Sequence, residues 1–245
     1  MPKVAFTLSL KAAMKSLIFL LAIISSTRAV TLSCSFYSTS LPYYPSVYAC
    51  NNLVASNVAE SKILTAVSGQ HQNGMSNADV KGLFINYVPH LTFFPRGIEK
   101  IFPNLIALGS YNSSISTLTG DELKPFPNLF FFRLAVSPNF EKIPENLFDS
   151  TPLIRHIEFF NNNIKQVGEN VFSNLPKLNH LDLLNNYCVN KLARIEKAQF
   201  PALIEHLRTN CTEIEATTTK APSCGNTNEI ICDLQVQNQV LMVIN

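Results

Sequence analysis

Residues 152–175 read PLIRHIEFFNNNIKQVGENVFSNL, and the segment from Pro176, PKLNHLDLLNN, repeats the opening of this stretch. In both segments an apolar residue follows the proline after one intervening residue, and two further apolar residues alternate with polar ones. The same skeleton starts at Pro103 and Pro127. The four units open with apolar residues at intervals of 24, 25 and 24 residues: Leu105, Leu129, Ile154 and Leu178. A regular period of this length indicates stacked copies of one structural unit.

Each unit predicts a short strand followed by a turn. Ile157 and Phe159 alternate with polar neighbours, as expected for a strand with one buried face. Asn162 follows this strand, and its side chain can hydrogen-bond backbone groups of the turn where water is excluded. Ser113 and Ser137 replace the asparagine in two earlier units. Because no unit can bury its own apolar face, the units must stack and the ends must be capped.

This pattern resembles the leucine-rich repeat, L-x-x-L-x-L-x-x-N-x-I-x-x-L with a phenylalanine near the end of the unit. Four good units and a weaker first one, which begins near Leu83, cover residues 80–187. The resemblance implies an α/β solenoid: a right-handed superhelix, or horseshoe arc, with a parallel β-sheet on its concave face. It also implies an N-terminal β cap and a C-terminal helical cap. The arrangement is similar to that of secreted leucine-rich repeat proteins common in insects.

The chain begins with a segment typical of a secretory signal. Residues 1–29 contain four basic residues and no acidic one, and the apolar run 17–24 is shorter than the roughly 20 apolar residues that span a bilayer. Met14 is an alternative start to Met1, and an uncleaved anchor is the alternative to secretion. The rest of the chain has 15 basic and 17 acidic residues, so its charge does not favour a nucleic-acid partner. We expect a secreted, extracellular protein without a transmembrane segment.

Six cysteines in a secreted chain predict disulfides: Cys34, Cys50, Cys188, Cys211, Cys224 and Cys232. A bridge between Cys34 and Cys50 would staple the N-terminal cap, residues 30–79. The stretch 189–208 has near-helical apolar spacing, and a Cys188–Cys211 bridge would hold it across the edge of the last strand, within a cap formed by residues 188–214. Cys224 and Cys232 could bridge each other.

Residues 215–245 are predicted to form a linker and a tail. Residues 217–222, TTTKAP, have a linker composition, and the apolar residues after them follow a spacing of about two heptads. This length is too short to establish a coiled coil. A tail that drives oligomers and a frayed terminus are both compatible with the pattern.

Stacking the units in register predicts columns of side chains on the concave face. The central column is Gly109, Arg133, Glu158 and Asp182. Aromatic and apolar residues that the core does not require flank it, and aromatic residues and arginine are enriched at binding hot spots. We expect these columns to form a partner-binding surface: Tyr111, Phe131, Arg133, His156, Glu158, Phe160, His180, Asp182 and Leu184. The alternative is that these side chains only cover one another.

The column residues also suggest two kinds of chemistry. Glu158 beside Asp182 suggests an acid/base pair, but an open sheet lacks the cleft of a hydrolase, and Arg133 is a ready ion-pair partner. His156 and His180 share a column and could share a metal ion, with Glu158 as the nearest third donor. We predict no enzymatic activity, no bound metal and no cofactor, because no phosphate loop or nucleophile elbow occurs either.

The sequence therefore predicts a secreted protein that binds a protein, or a glycan, through its concave face. Such a role would fit recognition, signalling or immunity. The alternative is a structural protein that self-associates through its C-terminal tail. Asn112, in the sequon Asn112-Ser113-Ser114, is the expected glycosylation site, at the turn after a strand.

Overall fold

The computed structural model describes residues 30–42, 44–56, 62–194 and 198–212. The predicted signal, 1–29, and the predicted linker and tail, 215–245, lie outside these residues, as do Cys224 and Cys232. None of the helices in the described ranges has the length and apolar character needed to cross a bilayer.

Eleven strands are described, and nine of them form one sheet in the order β11-β10-β8-β6-β5-β4-β2-β1-β3. The strands of this sheet are β1 (Val30–Leu41), β2 (Tyr44–Ser56), β3 (Leu64–Ser68), β4 (Gly82–Val88), β5 (Ala107–Ser113), β6 (Phe131–Ala135), β8 (His156–Glu158), β10 (His180–Asp182) and β11 (Leu192–Arg194). The other two, β7 (Lys142–Ile143) and β9 (Gln166–Val167), pair with each other in parallel.

The middle of the sheet is a parallel solenoid of about four turns. Strands β4, β5, β6, β8 and β10 pair in parallel, each with the strand of the next repeat. The described connections contain little helix: a 3-10 turn at Asn77–Asp79 and the one-turn helix α1 (Ile98–Ile101). The structure therefore contains the predicted solenoid with its parallel sheet, but the described repeats are joined mainly by turns, so the helical part of the predicted α/β class is small.

The inward-facing residues of the repeats form one continuous apolar core. Leu108, Phe132 and Ile157 occupy the same register position on successive strands and are completely buried. Phenylalanines from the far side of the units fill the space behind the strands, and the ring of Phe132 lies 5.8 Å from that of Phe148 and 5.6 Å from that of Phe159. Each unit thus buries its apolar face only against its neighbours.

Each turn after a strand contains a residue in the left-handed backbone region. These residues occupy one position in five successive repeats, with φ between 54° and 58°: Tyr87, Asn112, Val136, Asn161 and Asn185. Asparagine tolerates this conformation, whereas a β-branched residue such as valine does so only under strain. Val136 is therefore the residue least suited to its turn.

Asparagine side chains tie each turn to the turn before it. The Asn162 Nδ2 donates to the carbonyls of Leu134 and Phe159 at 2.7 and 2.9 Å, and its Oδ1 accepts from the Ser137 amide at 2.7 Å. Asn186 bonds the Phe159 carbonyl in the same way, but its Oδ1 accepts from the Ile164 amide, two residues beyond the position that corresponds to Ser137. The expected role of these asparagines is confirmed.

The first repeat is covered by an antiparallel hairpin. Strands β1 and β2 pair along their length, and the Cys34–Cys50 disulfide links them. Strand β2 also pairs in parallel with β4, so the cap continues the sheet of the repeats. The N-terminal β cap predicted for residues 30–79 is present.

The C-terminal cap differs from the helix predicted over 189–208. Strand β11 pairs antiparallel with β10, and the helix α2 (Phe200–Asn210) follows it. The free edge of β10 requires hydrogen-bond partners, and β11 supplies them. Pro201 lies in the first turn of α2, where the missing N–H costs nothing. The Cys188–Cys211 disulfide is present as expected and joins the residue after α2 to the end of the last repeat.

Replacing Asn162 by alanine should destabilise the fold by about 2–4 kcal/mol, because it leaves buried backbone groups without partners. Asn163→Ala is the matched control. Its amide bonds the exposed Glu141 side chain, so its removal should cost less than about 0.5 kcal/mol. Urea unfolding monitored by circular dichroism measures both values, and equal costs would contradict the structural role of Asn162.

Replacing Val136 by asparagine should stabilise the protein by about 0.5–1 kcal/mol, because it relieves left-handed strain at a partly exposed position. The reciprocal change, Asn161→Val at φ 54°, should destabilise by at least a similar amount. The same urea titrations test the pair, and a destabilised Val136→Asn protein would refute this account of the turn.

Candidate functional site

The predicted columns exist as expected from the register. Phe131 pairs with His156 and His156 with His180, while Arg133 pairs with Glu158 and Glu158 with Asp182. The face of the parallel strands that carries these side chains is called the column face below. The parallel register brings together residues that are 24 or 25 positions apart in the chain.

Phe131 was expected on the exposed surface, but it is 0% exposed. A second apolar cluster on the column face encloses it, with contributions from the cap hairpin: Leu41, Val47, Ala49, Phe84, Ala107 and Phe131. The Phe84 ring meets Phe131 edge to face at 6.1 Å, and a Cβ at Gly109 would approach the Phe84 ring to 3.0 Å. Because Gly109 leaves this space open, the Phe84 ring packs on the column face beside Phe131.

A buried ionic network occupies the centre of the column face. Glu158 accepts a hydrogen bond from Arg133 Nε on one oxygen, and His156 Nε2 lies 2.6 Å from the other. Burial alone would raise the pKa of Glu158, but the hydrogen bonds from His156 and Arg133 outweigh it and lower this pKa to about 2. Glu158 is therefore an anion held between two donors, and not a proton donor near neutral pH.

The rings of the first column stack on one another. The His156 ring lies 4.8 Å from that of Phe131 and 3.8 Å from that of His180, with the two imidazole planes 7° apart. Both histidines were expected at the surface, but they are only 1% and 6% exposed. Burial, and to a smaller extent the neighbouring His156, lower the pKa of His180 to about 4. His180 is thus a neutral imidazole in the folded protein near pH 7.

Asp182 ends the central column and is only partly buried. Its Oδ1 accepts a hydrogen bond from the Leu184 amide at 3.0 Å. Burial raises the pKa of Asp182, and the negative charge of Glu158 acts in the same direction, while the Leu184 hydrogen bond opposes them. Asp182 and Glu158 are neighbours, as predicted, but each carboxylate already accepts hydrogen bonds from other groups of the protein.

An aromatic row lies along the edge of the column face where the strands end. The Tyr111 ring lies 5.5 Å from Tyr87 and 6.3 Å from Phe160. Ala135 is the register partner of Tyr111 on β6, and its small side chain lets Tyr111 reach across to Phe160. Tyr87 is 58% exposed and was missed by the sequence analysis. The alignment of GLFINYV with ALGSYNS, which places Tyr87 at the turn position of Asn112, could have identified it.

The other expected surface residues are partly accessible. Arg133, Phe160 and Leu184 are half-buried on the column face. Asn112 is also half-buried, in the left-handed turn directly after Tyr111. A glycan at Asn112 would therefore lie beside the aromatic row.

A groove of about 520 Å³ lies at the opposite ends of the strands and was not foreseen from the sequence. Tyr44 from the cap hairpin packs against Phe130, with ring centres 4.7 Å apart. The exposed Leu153, Arg155 and Lys177 also line this groove. Its lining combines apolar and basic side chains.

The arrangement also places three metal-binding side chains together. His156, Glu158 and His180 each offer one ligand atom, and these atoms lie within 4.8 Å of one another. Glu158, which the sequence suggested as the nearest third metal ligand, therefore lies beside both histidines.

The His180 environment predicts a specific pH dependence of stability. Its folded pKa of about 4 lies below its ordinary value of 6.5, so between these values the unfolded chain binds a proton that the folded chain does not. The unfolding free energy should therefore decrease as the pH is lowered through this window, by at most about 1.4 kcal/mol per pH unit from this group.

His180→Leu should remove this component, so the difference in slope between wild type and variant isolates it. The charged groups facing His180 are His156, Glu158 and Arg194. Urea unfolding in metal-free buffer from pH 7 to about pH 5.5 stays about one unit above the ordinary Glu158 pKa of 4.5, so this carboxylate is ionised in both states throughout. Parallel pH profiles for the two proteins would contradict the burial of a neutral His180.

Comparison with known proteins gives no family assignment. No protein-family model matches the chain, and no curated protein matches it significantly. Among solved structures, 33 chains match significantly, and one belongs to the Drosophila Toll–Spatzle complex, described as a molecular hub in development and innate immunity. That match has 18% identity and a TM-score of 0.40, and covers 50% of this chain but only 17% of the other. Similarity at this level carries no inference about function.

Proposed function

We propose that this protein is a secreted leucine-rich repeat protein that binds a protein partner through its column face, the concave face of a horseshoe-shaped solenoid. The observation that carries the proposal is the aromatic row formed by Tyr87, Tyr111 and Phe160. The disulfides Cys34–Cys50 and Cys188–Cys211 are compatible with an oxidising, extracellular location.

The aromatic row has the character of an interaction surface. The Tyr111 ring contacts those of Tyr87 and Phe160, yet Tyr87 is mainly exposed and the other two are half-exposed. Arg133 and Leu184 extend the accessible surface on the same face. Clustered tyrosine, phenylalanine and arginine side chains are enriched among residues that dominate binding energy.

The buried column residues have a supporting role in this proposal. Phe131, His156, Glu158 and His180 are too buried to form a contact surface, although they were expected to do so. They hold the strands and orient Arg133, whose guanidinium lies 5.2 Å from the centre of the Phe131 ring. A partner would therefore contact Tyr87, Tyr111, Arg133 and Phe160 on a rigid base.

The proposed role is binding without catalysis. Glu158 is held by Arg133 and His156, and Asp182 accepts the Leu184 amide, so neither carboxylate is arranged as an acid/base pair around a bond. Turnover of any substrate that Glu158→Gln abolishes would refute this part of the proposal.

The double substitution Tyr111→Ala and Phe160→Ala should weaken partner binding at least about 30-fold, the loss expected for hot-spot residues worth 2 kcal/mol or more. Affinity capture from the native extracellular fluid, followed by mass spectrometry, would identify the partner. Surface plasmon resonance would then measure the affinities.

Tyr187→Ala is the matched control, because Tyr187 is 77% exposed but lies outside the aromatic row. Its removal should leave affinity unchanged. Equal binding by the double variant and wild type would refute the column-face proposal. Binding to purified glycans instead would identify the partner as a carbohydrate. A change of mass in light scattering on deletion of residues 225–245, without column-face binding, would favour the self-associating alternative.

A further inference from the structure

We propose that His156, Glu158 and His180 form a binding site for a divalent transition-metal ion such as Zn²⁺. The proposal is independent of partner binding at the aromatic row. It departs from the sequence-based prediction of no bound metal, because the folded chain brings three donor side chains together at the centre of the column face.

The donor set is suited to such an ion. Two imidazole nitrogens and one carboxylate oxygen occur together in zinc sites that leave a fourth position for water. Imidazole favours zinc, copper and nickel over magnesium and calcium, which prefer oxygen ligands. The three donor atoms lie within 4.8 Å of one another, a separation that small side-chain rotations can convert into shared coordination.

The backbone holds the donors on a rigid support. His156 and His180 are direct register partners on the parallel strands β8 and β10, and Glu158 is two residues from His156 on the same face. All three side chains are buried, so they have few alternative positions. Pre-organised ligands reduce the ordering cost of binding.

The surroundings of Glu158 fix the position of its carboxylate. Arg133 holds one oxygen of Glu158, which leaves the other oxygen directed at His156 Nε2, 2.6 Å away. Donors that fix a ligating carboxylate in this way are common outside metal ligands. Asp182, the register partner of Glu158, adds a second carboxylate nearby.

Metal binding requires two changes in the arrangement described. The hydrogen bond between His156 Nε2 and Glu158 must open and its proton must leave, because only a deprotonated nitrogen can ligate a metal. The two imidazole planes are 7° apart and stacked, so their nitrogen lone pairs run nearly parallel. One ring must rotate for both nitrogens to face a single ion. His180 is the more exposed of the two, at 6% against 1%, and we expect this ring to turn.

Isothermal titration calorimetry of the full secreted chain, purified without a polyhistidine tag and freed of metal with a chelator, tests the site. Zn²⁺ should bind with one equivalent per chain, while Mg²⁺ and Ca²⁺ should not. His180→Gln should weaken zinc binding at least ~10-fold, the lower bound seen even for residues outside the ligand shell. His90→Gln, which changes an exposed histidine outside the cluster, is the matched control and should bind as wild type does.

A spectroscopic measurement keeps the proposal testable if a variant fails to fold. Co²⁺ added to the wild-type protein should give the visible absorption of a four-coordinate site, and Zn²⁺ should displace it. Absence of zinc binding by the wild type would overturn the proposal. Zinc binding that survives in folded His180→Gln protein, or that His90→Gln abolishes, would also overturn it by placing the ion elsewhere.

Discussion

The hydrogen bonds of the turn asparagines set the register on which the rest of the structure depends. Asn162 bonds the Ser137 amide and two buried carbonyls, and Asn186 bonds the Phe159 carbonyl and the Ile164 amide one turn later. Where asparagine is absent, the hydroxyls of Ser113 and Ser137 bond each other at 2.7 Å across neighbouring turns. These bonds satisfy buried polar groups that water cannot reach, so each strand must end level with the one before it.

A fixed register turns the sequence period into columns of side chains. Chemically related residues then stack at the strand spacing: Phe131, His156 and His180 in one column, and Arg133, Glu158 and Asp182 in the next. Stacking excludes water from the centre of the face, and this exclusion shifts the ionisation of its members. Glu158 remains an anion because its donors outweigh the cost of burial, whereas at His180 burial outweighs the favourable charge of Glu158, so His180 becomes harder to protonate.

Some sequence-based expectations failed because they treated the column face as an open surface. The periodicity correctly placed Phe131 and both histidines on that face, but it contained no information on the hairpin residues Leu41 and Val47, which join the apolar cluster around Phe131. In the same way, apolar spacing over 189–208 suggested one helix. Instead, Leu192–Arg194 forms a strand that pairs with the edge of β10, and the helix begins only at Phe200.

The sequence by itself determined the repeat, its register, the column membership and the pairing of Cys188 with Cys211, because these depend on local period and position. Only the tertiary structure decided which column residues are buried, that Tyr87 joins Tyr111 and Phe160, and that Glu158 lies between Arg133 and His156. Those outcomes depend on how side chains from distant segments pack together and on which hydrogen-bond donors they bring next to each other. A linear pattern specifies which face a residue occupies, but the packing of neighbouring elements determines whether water reaches it.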